Sequence, residues 1–272
     1  NGNGAGIYAR AGATIVIDSC VIKDNTGRIE NCSGTGLWNR GSTIYINNTT
    51  FSNNRAGGNG GAILAHGDGL ATKTYIYNTT FNDNLTGLIN WGSRPGGAYY
   101  GRTGSEGIML NCTLYKNTAT IGAPGASSSD GGAISLHGEA KLNMISCTLT
   151  QNIAGRDAGA IIINDGCFLN IYNSVISGNV ARRNNNEIMG TYTTLKNSII
   201  GDKVFDNGGS EVSGQAFDSS MMLGTLANNG GLTQTITLTG SGNPATTYGM
   251  NAGELQTLGT SLSPAVESTV IS

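Results

Sequence analysis

The chain has 272 residues, of which 43 are glycine and only 4 proline; 12% are charged, 38% are hydrophobic, and the formal net charge is −2. Charge this sparse and balanced gives no electrostatic footprint for a nucleic acid. No apolar run reaches the length of about 18 residues that a membrane-spanning helix needs, and the wealth of Ile, Thr and Val argues against a disordered glycine-rich polymer.

The predicted elements recur in chain order. A short strand opens at Gly6-Ile7 and is followed by Ser19-Cys20-Val21-Ile22-Lys23-Asp24-Asn25. The second period opens at Gly36-Leu37 and runs through Thr43-Ile44-Tyr45-Ile46-Asn47-Asn48-Thr49-Thr50-Phe51-Ser52-Asn53-Asn54. The third opens at Gly60-Gly61-Ala62-Ile63 and repeats that pattern almost word for word as Thr74-Tyr75-Ile76-Tyr77-Asn78-Thr79-Thr80-Phe81-Asn82-Asp83-Asn84. The fourth and fifth are Gly96-Gly97-Ala98-Tyr99 with Asn111 to Asn117, and Gly131-Gly132-Ala133-Ile134 with Ser146 to Asn152. The sixth is Ala158-Gly159-Ala160-Ile161 with Asn173 to Asn179, and Asn197-Ser198-Ile199-Ile200 is a worn last copy. The spacing is roughly 24 to 35 residues, a period that marks a solenoid.

Strands of four to six residues separated by Gly and Asn bury nothing alone. Stacked about 4.8 Å apart, each pairs with its copies above and below, and the inward side chains merge into one core. The expected fold is all-β: a right-handed parallel β-helix of about seven coils over residues 1–202. Residues 203–272 form irregular C-terminal coils or a cap of the same domain, with strands near Thr235 to Leu238 and a Pro-marked turn covering the lower end. The start at Asn1-Gly2-Asn3-Gly4 carries no amphipathic capping helix. The turn residues Asn48, Asn78, Asn111 and Asn173 are expected to share amide hydrogen bonds as a ladder.

The alternation of GGAI-type openings with F-x-x-N, as in Phe51 to Asn54 and Phe81 to Asn84, resembles the repeats of chlamydial polymorphic outer-membrane proteins and of adhesin-like proteins of archaea and bacteria. Leu223 to Thr235, with Asn228-Asn229-Gly230-Gly231-Leu232-Thr233, is similar to a C-terminal pattern of pectate-lyase-like surface proteins, with Asn243-Pro244-Ala245 and Ser263-Pro264-Ala265 as counterparts of its Ser-Pro-Ala-like turn. The resemblance implies an extracellular or cell-surface module used in adhesion or cell-envelope structure.

Side chains of a strand alternate between faces. With Ile7, Leu37, Ile63, Tyr99, Ile134 and Ile161 inward, one outward column reads Tyr8, Trp38, Leu64, Tyr100, Ser135, Ile162. A second reads Arg10, Arg40, His66, Arg102, His137, Asn164. Aromatic rings beside cationic or polar donors along one flat face suit a sugar ring or an anionic glycan, so Tyr8, Arg10, Trp38, Arg40, His66, Tyr100, Arg102 and His137 are the candidate ligand-binding residues. The plainer reading of the same columns is a strand face blunted by charge.

Catalysis would need carboxylates. Asp68 and Glu139 each follow a histidine by two residues, two coils apart, or about 9.6 Å, near the upper end of the roughly 6.5–9.5 Å used by inverting glycosidases. Asp165 lies one coil further on. These residues sit in Gly-flanked turns, where acidic residues serve solvation and turn chemistry, and no activity is expected of them. Five cysteines without a CxxC pair and two histidines give no support for zinc, and no cofactor or metal is expected. Cys20, Cys112 and Cys147 share a small column with Thr49, Thr79, Ser174 and Ser198 and are expected to be mostly buried thiols.

The expected function is a non-enzymatic surface protein whose lateral face meets a glycan or a protein on a neighbouring surface. One alternative is a structural subunit that assembles with copies of itself into a filament, sheath or coat, because an uncapped coil is an edge-pairing template. The other is a polysaccharide lyase or hydrolase.

Overall fold

The computed structural model describes residues 6–28, 32–87, 94–120 and 129–262. Among them, seven coils wind about one axis, each contributing one strand to each of three parallel sheets, and six also place a two-residue strand on a fourth. The third coil is representative, with strands Ile63–His66, Lys73–Tyr77, Thr80–Asn82 and Leu85–Thr86. Each finds its partners one period away in either direction: Thr74 faces Ile44 and Gly107, and Phe81 faces Phe51 and Leu114. The Phe51 and Phe81 rings stack with centroids 5.1 Å apart and planes 10° from parallel. One period therefore makes one turn, as the repeat predicts. The fourth strand is the unforeseen one, because pairs such as Arg55-Ala56 and Ile153-Ala154 are too short to carry a pattern.

Inward residues from three sheets meet on the axis. Ile7, Leu37, Ile63, Tyr99, Ile134 and Ile161 stand in register, and all but Ile7 are fully buried with Ile44, Phe51, Phe81 and Leu114 in the same core. The corner between the fourth strand and the next coil is what the glycine signature builds. A Cβ on Gly132 would sit 2.2 Å from the carbonyl oxygen of Gly159, so main chain packs on main chain there. Its neighbour Gly131 has φ +65°, a conformation that side chains disfavour.

A continuous asparagine ladder runs down the interior, though in a different column from the one expected. From Asn25 through Asn54, Asn84, Asn117 and Asn152 to Asn179, each side-chain amide nitrogen donates to the side-chain oxygen of the next, at 2.8–3.0 Å over separations of 27 to 35 residues. The same oxygens take the backbone N–H groups of the preceding rung. Burying such groups unpaired would cost about 1–3 kcal/mol each, so the ladder makes the corner between the third and fourth strands possible. The turn residues Asn48, Asn78, Asn111 and Asn173 have φ of 47–53° and stand nearer the surface. Asn111 donates to Asn78 at 2.9 Å, but Asn78 donates to Asn47, Asn48 to Asp18 and Asn173 to Ser146.

The small column obeys one rule. Thr49, Thr79, Ser174 and Ser198 donate their hydroxyls to the carbonyl two residues earlier at 2.7 Å, and Cys20, Cys112 and Cys147 point their thiols at the equivalent oxygen. Cys112 and Cys147 are buried, Cys20 is exposed, and all five cysteines are free thiols. Burial pushes the Cys112 thiol well above its usual range.

The parallel stack stops at Ser198–Ile200, which pairs antiparallel with Lys203–Phe205. The strand expected near Thr235 is Thr235–Leu238, paired antiparallel with Leu223–Ala227, and Pro244 opens a short helix, Pro244–Thr247. Beyond the lower end, this segment climbs back along the solenoid: Thr233 Oγ1 donates to the Asn78 carbonyl at 3.1 Å, and Thr80 Oγ1 donates to the Gln234 carbonyl at 2.5 Å. Helix Ala252–Leu262 brings Leu255 and Leu258 to a cluster of Tyr77, Ile108, Leu110 and Ile145 on the outer face of the second sheet. Asn1 to Gly4 and Ser263-Pro264-Ala265 lie outside the described residues.

Candidate functional site

Strand alternation and register place both outward columns of the first sheet as the sequence predicts. Tyr8, Trp38, Leu64, Tyr100, Ser135 and Ile162 are successive partners, and so are Arg10, Arg40, His66, Arg102 and His137. Their accessibility corrects the expectation of an open aromatic face. Tyr8 is 41% exposed, whereas Trp38 and Tyr100 are only 8% and 5% exposed and form a small second core with Leu64. Glycine corners cover Leu64 and Tyr100: a Cβ on Gly34 would lie 2.8 Å from Leu64 Cβ, and one on Gly60 would lie 3.2 Å from Tyr100 Cβ; the Trp38 ring lies 5.3 Å from that of Tyr8. Trp38 and Tyr100 therefore support the stripe from beneath and offer no stacking platform.

The surface that remains is cationic and polar. Arg10 and Arg102 are exposed, and Arg40, His66 and His137 are half-buried. Arg40 is ion-paired with Asp68, which holds that carboxyl below the usual carboxylate range. Burial first, and then the charge of Arg102, lower the pKa of both His66 and His137. His137 Nε2 lies 3.0 Å from the Asn164 side-chain nitrogen, which also donates to the Leu136 carbonyl. An amide nitrogen only donates, so Nε2 accepts and the neutral ring carries its proton on Nδ1. Its ring packs 5.1 Å from that of Tyr100 in a tilted arrangement.

The candidate carboxylates do not converge. Asp68, Glu139 and Asp165 are exposed and belong to the third, fifth and sixth coils. Asp68 and Glu139 hold φ of +50° and +65°, and Asp68 is committed to Arg40. The carboxylates that do meet are ones the sequence reading missed. Asp130 and Asp157, 4% and 5% exposed, share the guanidinium of Arg156: Nε is 2.8 Å from Asp130 Oδ1 and 3.1 Å from Asp157 Oδ2. Asp157 Oδ1 also accepts from the backbone and side-chain nitrogens of Asn184 at 3.1 and 3.0 Å. These bonds tie three successive corners together. The available signal was the Asp that immediately precedes the glycine signature at Asp130-Gly131 and Asp157-Ala158.

Among the described residues no group of three His, Cys, Asp or Glu side chains is placed to hold a metal ion. No described helix is long and apolar enough to cross a membrane. A family model described as a right handed beta helix region matches residues 1–176, which supports the pectate-lyase-like β-helix class. No curated protein and no solved structure matches the chain.

Proposed function

The chain belongs to the right-handed β-helix family, and from that fold we propose a non-enzymatic scaffold of the cell surface or extracellular space that binds an anionic glycan along its first sheet. The observation that carries this reading is the register that sets Arg10, Arg40, His66, Arg102 and His137 one above another. Five positions at one coil rise span about 19 Å, a row suited to the evenly spaced carboxylates or sulfates of an extended polysaccharide. Arginine forks take such groups in pairs of hydrogen bonds, and neutral histidines add single donors between them. The likeness of the GGAI and F-x-x-N repeats to surface and adhesin-like proteins supports the location and the role.

Exchange of Arg10→Glu together with Arg102→Glu is expected to weaken binding to a polyuronate or a sulfated glycan at least tenfold, about 1.4 kcal/mol, and to flatten its salt dependence. Acidification below the lowered histidine range is expected to tighten binding in the parent, because His66 and His137 then become cationic. Surface plasmon resonance across salt and pH measures both. Parent-like affinity and salt dependence in the double variant would sink the proposal.

A further inference from the structure

A half-open cavity of about 240 Å³ lies where the C-terminal arm crosses the third sheet. Thr148, Val175 and Asn197 contribute one wall, and Leu238, Pro244 and Tyr248 the other. Thr148 and Val175 are register partners on adjacent coils, outward on a sheet whose inward neighbours Leu149 and Ile176 fill the core. The arm is held at this distance by two asparagine clamps. Asn197 donates its side-chain amide to the Tyr248 carbonyl at 2.9 Å, and Asn173 Oδ1 accepts the Met250 backbone N–H at 2.8 Å.

The clamps leave hydrogen-bonding capacity at the wall. Asn197 Oδ1 is sealed from solvent without a partner, so the capacity open to a guest is that of the hydroxyls. Ser146, also on the lining, accepts from Asn173 at 2.9 Å, and its own hydroxyl hydrogen remains to be given. No Asp, Glu, Lys or Arg lines the cavity, so it offers nothing to balance a charged guest. Its volume equals about eight waters at roughly 30 Å³ each.

We infer that this cavity binds one uncharged sugar ring. A pyranose has an apolar C–H face for Val175 and Leu238 and a rim of hydroxyls for Ser146 and Thr148. The space takes a six-membered ring with its hydroxyls. The site belongs to the third sheet, shares no residue with the cationic column on the first, and stands independently of it.

The test uses the full chain with methyl glucoside, methyl mannoside, methyl galactoside and methyl glucuronide, read by saturation-transfer NMR and calorimetry. At least one neutral glycoside is expected to bind with 1:1 stoichiometry and to be preferred over the uronide. Leu238→Trp, at a position 43% exposed, fills the cavity and is expected to weaken that binding at least tenfold with an unchanged melting temperature. Thr148→Leu provides a second filling variant on the opposite wall, and Arg10→Glu with Arg102→Glu is expected to leave glycoside binding intact. Absence of binding by all three neutral glycosides, preference for the uronide, or parent-like affinity in both folded filling variants would overturn the inference.

Discussion

Glu187 stands where a further rung would continue the interior asparagine ladder. Its two carboxyl oxygens take the backbone N–H of Asn179 at 3.3 Å and the Asn179 side-chain amide at 2.6 Å. Burial outweighs those bonds and pushes its pKa from an ordinary 4.5 up to about 7. The folded chain then holds this proton more tightly than the unfolded chain does. The contribution to stability is therefore greatest below pH 4.5, falls as pH rises from 4.5 to about 7, and stays low above that. Glu187→Gln is expected to flatten this slope and to raise the melting temperature at pH 8, whereas Glu187→Ala lowers it by stranding the Asn179 amide. Melting curves of the three chains from pH 4 to pH 8 check this; a Gln variant that titrates like the parent would assign the slope to another group. At this scale the sequence supplied residue identity but not direction. Two asparagine columns repeat with the same period, and only the left-handed backbone at Asn48, Asn78, Asn111 and Asn173 separates the outer one from the inner one at Asn54, Asn84 and Asn117.

The glycine corner is the element on which coil spacing depends. Besides the Gly159 carbonyl, a Cβ on Gly132 would meet the Ile153 backbone at 2.6–2.7 Å. No flexible side chain can yield there, so Gly132→Ala is expected to cost about 3 kcal/mol. Gly104, at φ +70° with open space around its Cβ position, is the control: Gly104→Ala meets only backbone strain, about 1 kcal/mol. Urea denaturation midpoints compare the two, and equal losses would remove main-chain contact as the cause. The Gly-Gly-Ala signature was legible because this constraint recurs in four coils. What lies above a strand was not legible, since alternation gives the direction of Leu64 and Tyr100 but says nothing of the corners that cover them.

For the whole molecule, the arm that follows the last parallel strand completes the burial the coils begin. Strands Glu106–Leu110 and Lys141–Ile145 are apolar on both faces toward their ends, and the outward Ile108, Leu110 and Ile145 need cover. Leu255 and Leu258 supply it. Replacing both by Asp is expected to release helix Ala252–Leu262 and make it the first site of proteolysis, while the coils remain resistant. Continued protection of the helix would place its anchor elsewhere. The repeat made the coil count and register readable far in advance. The arm has no repeat, and its docking face could be sought only in those doubly apolar strands.

The interior ladder also has a direction. Every rung from Asn25 to Asn179 donates toward the later coil, so the side-chain amides form a file of parallel dipoles that reinforce one another, as peptide units do in an α-helix. The electropositive terminus of that file falls on Glu187 and the electronegative terminus on Asn25. A chain whose charges nearly cancel thereby acquires an electrical head and tail, and a coil grafted in upside down would meet oxygen with oxygen.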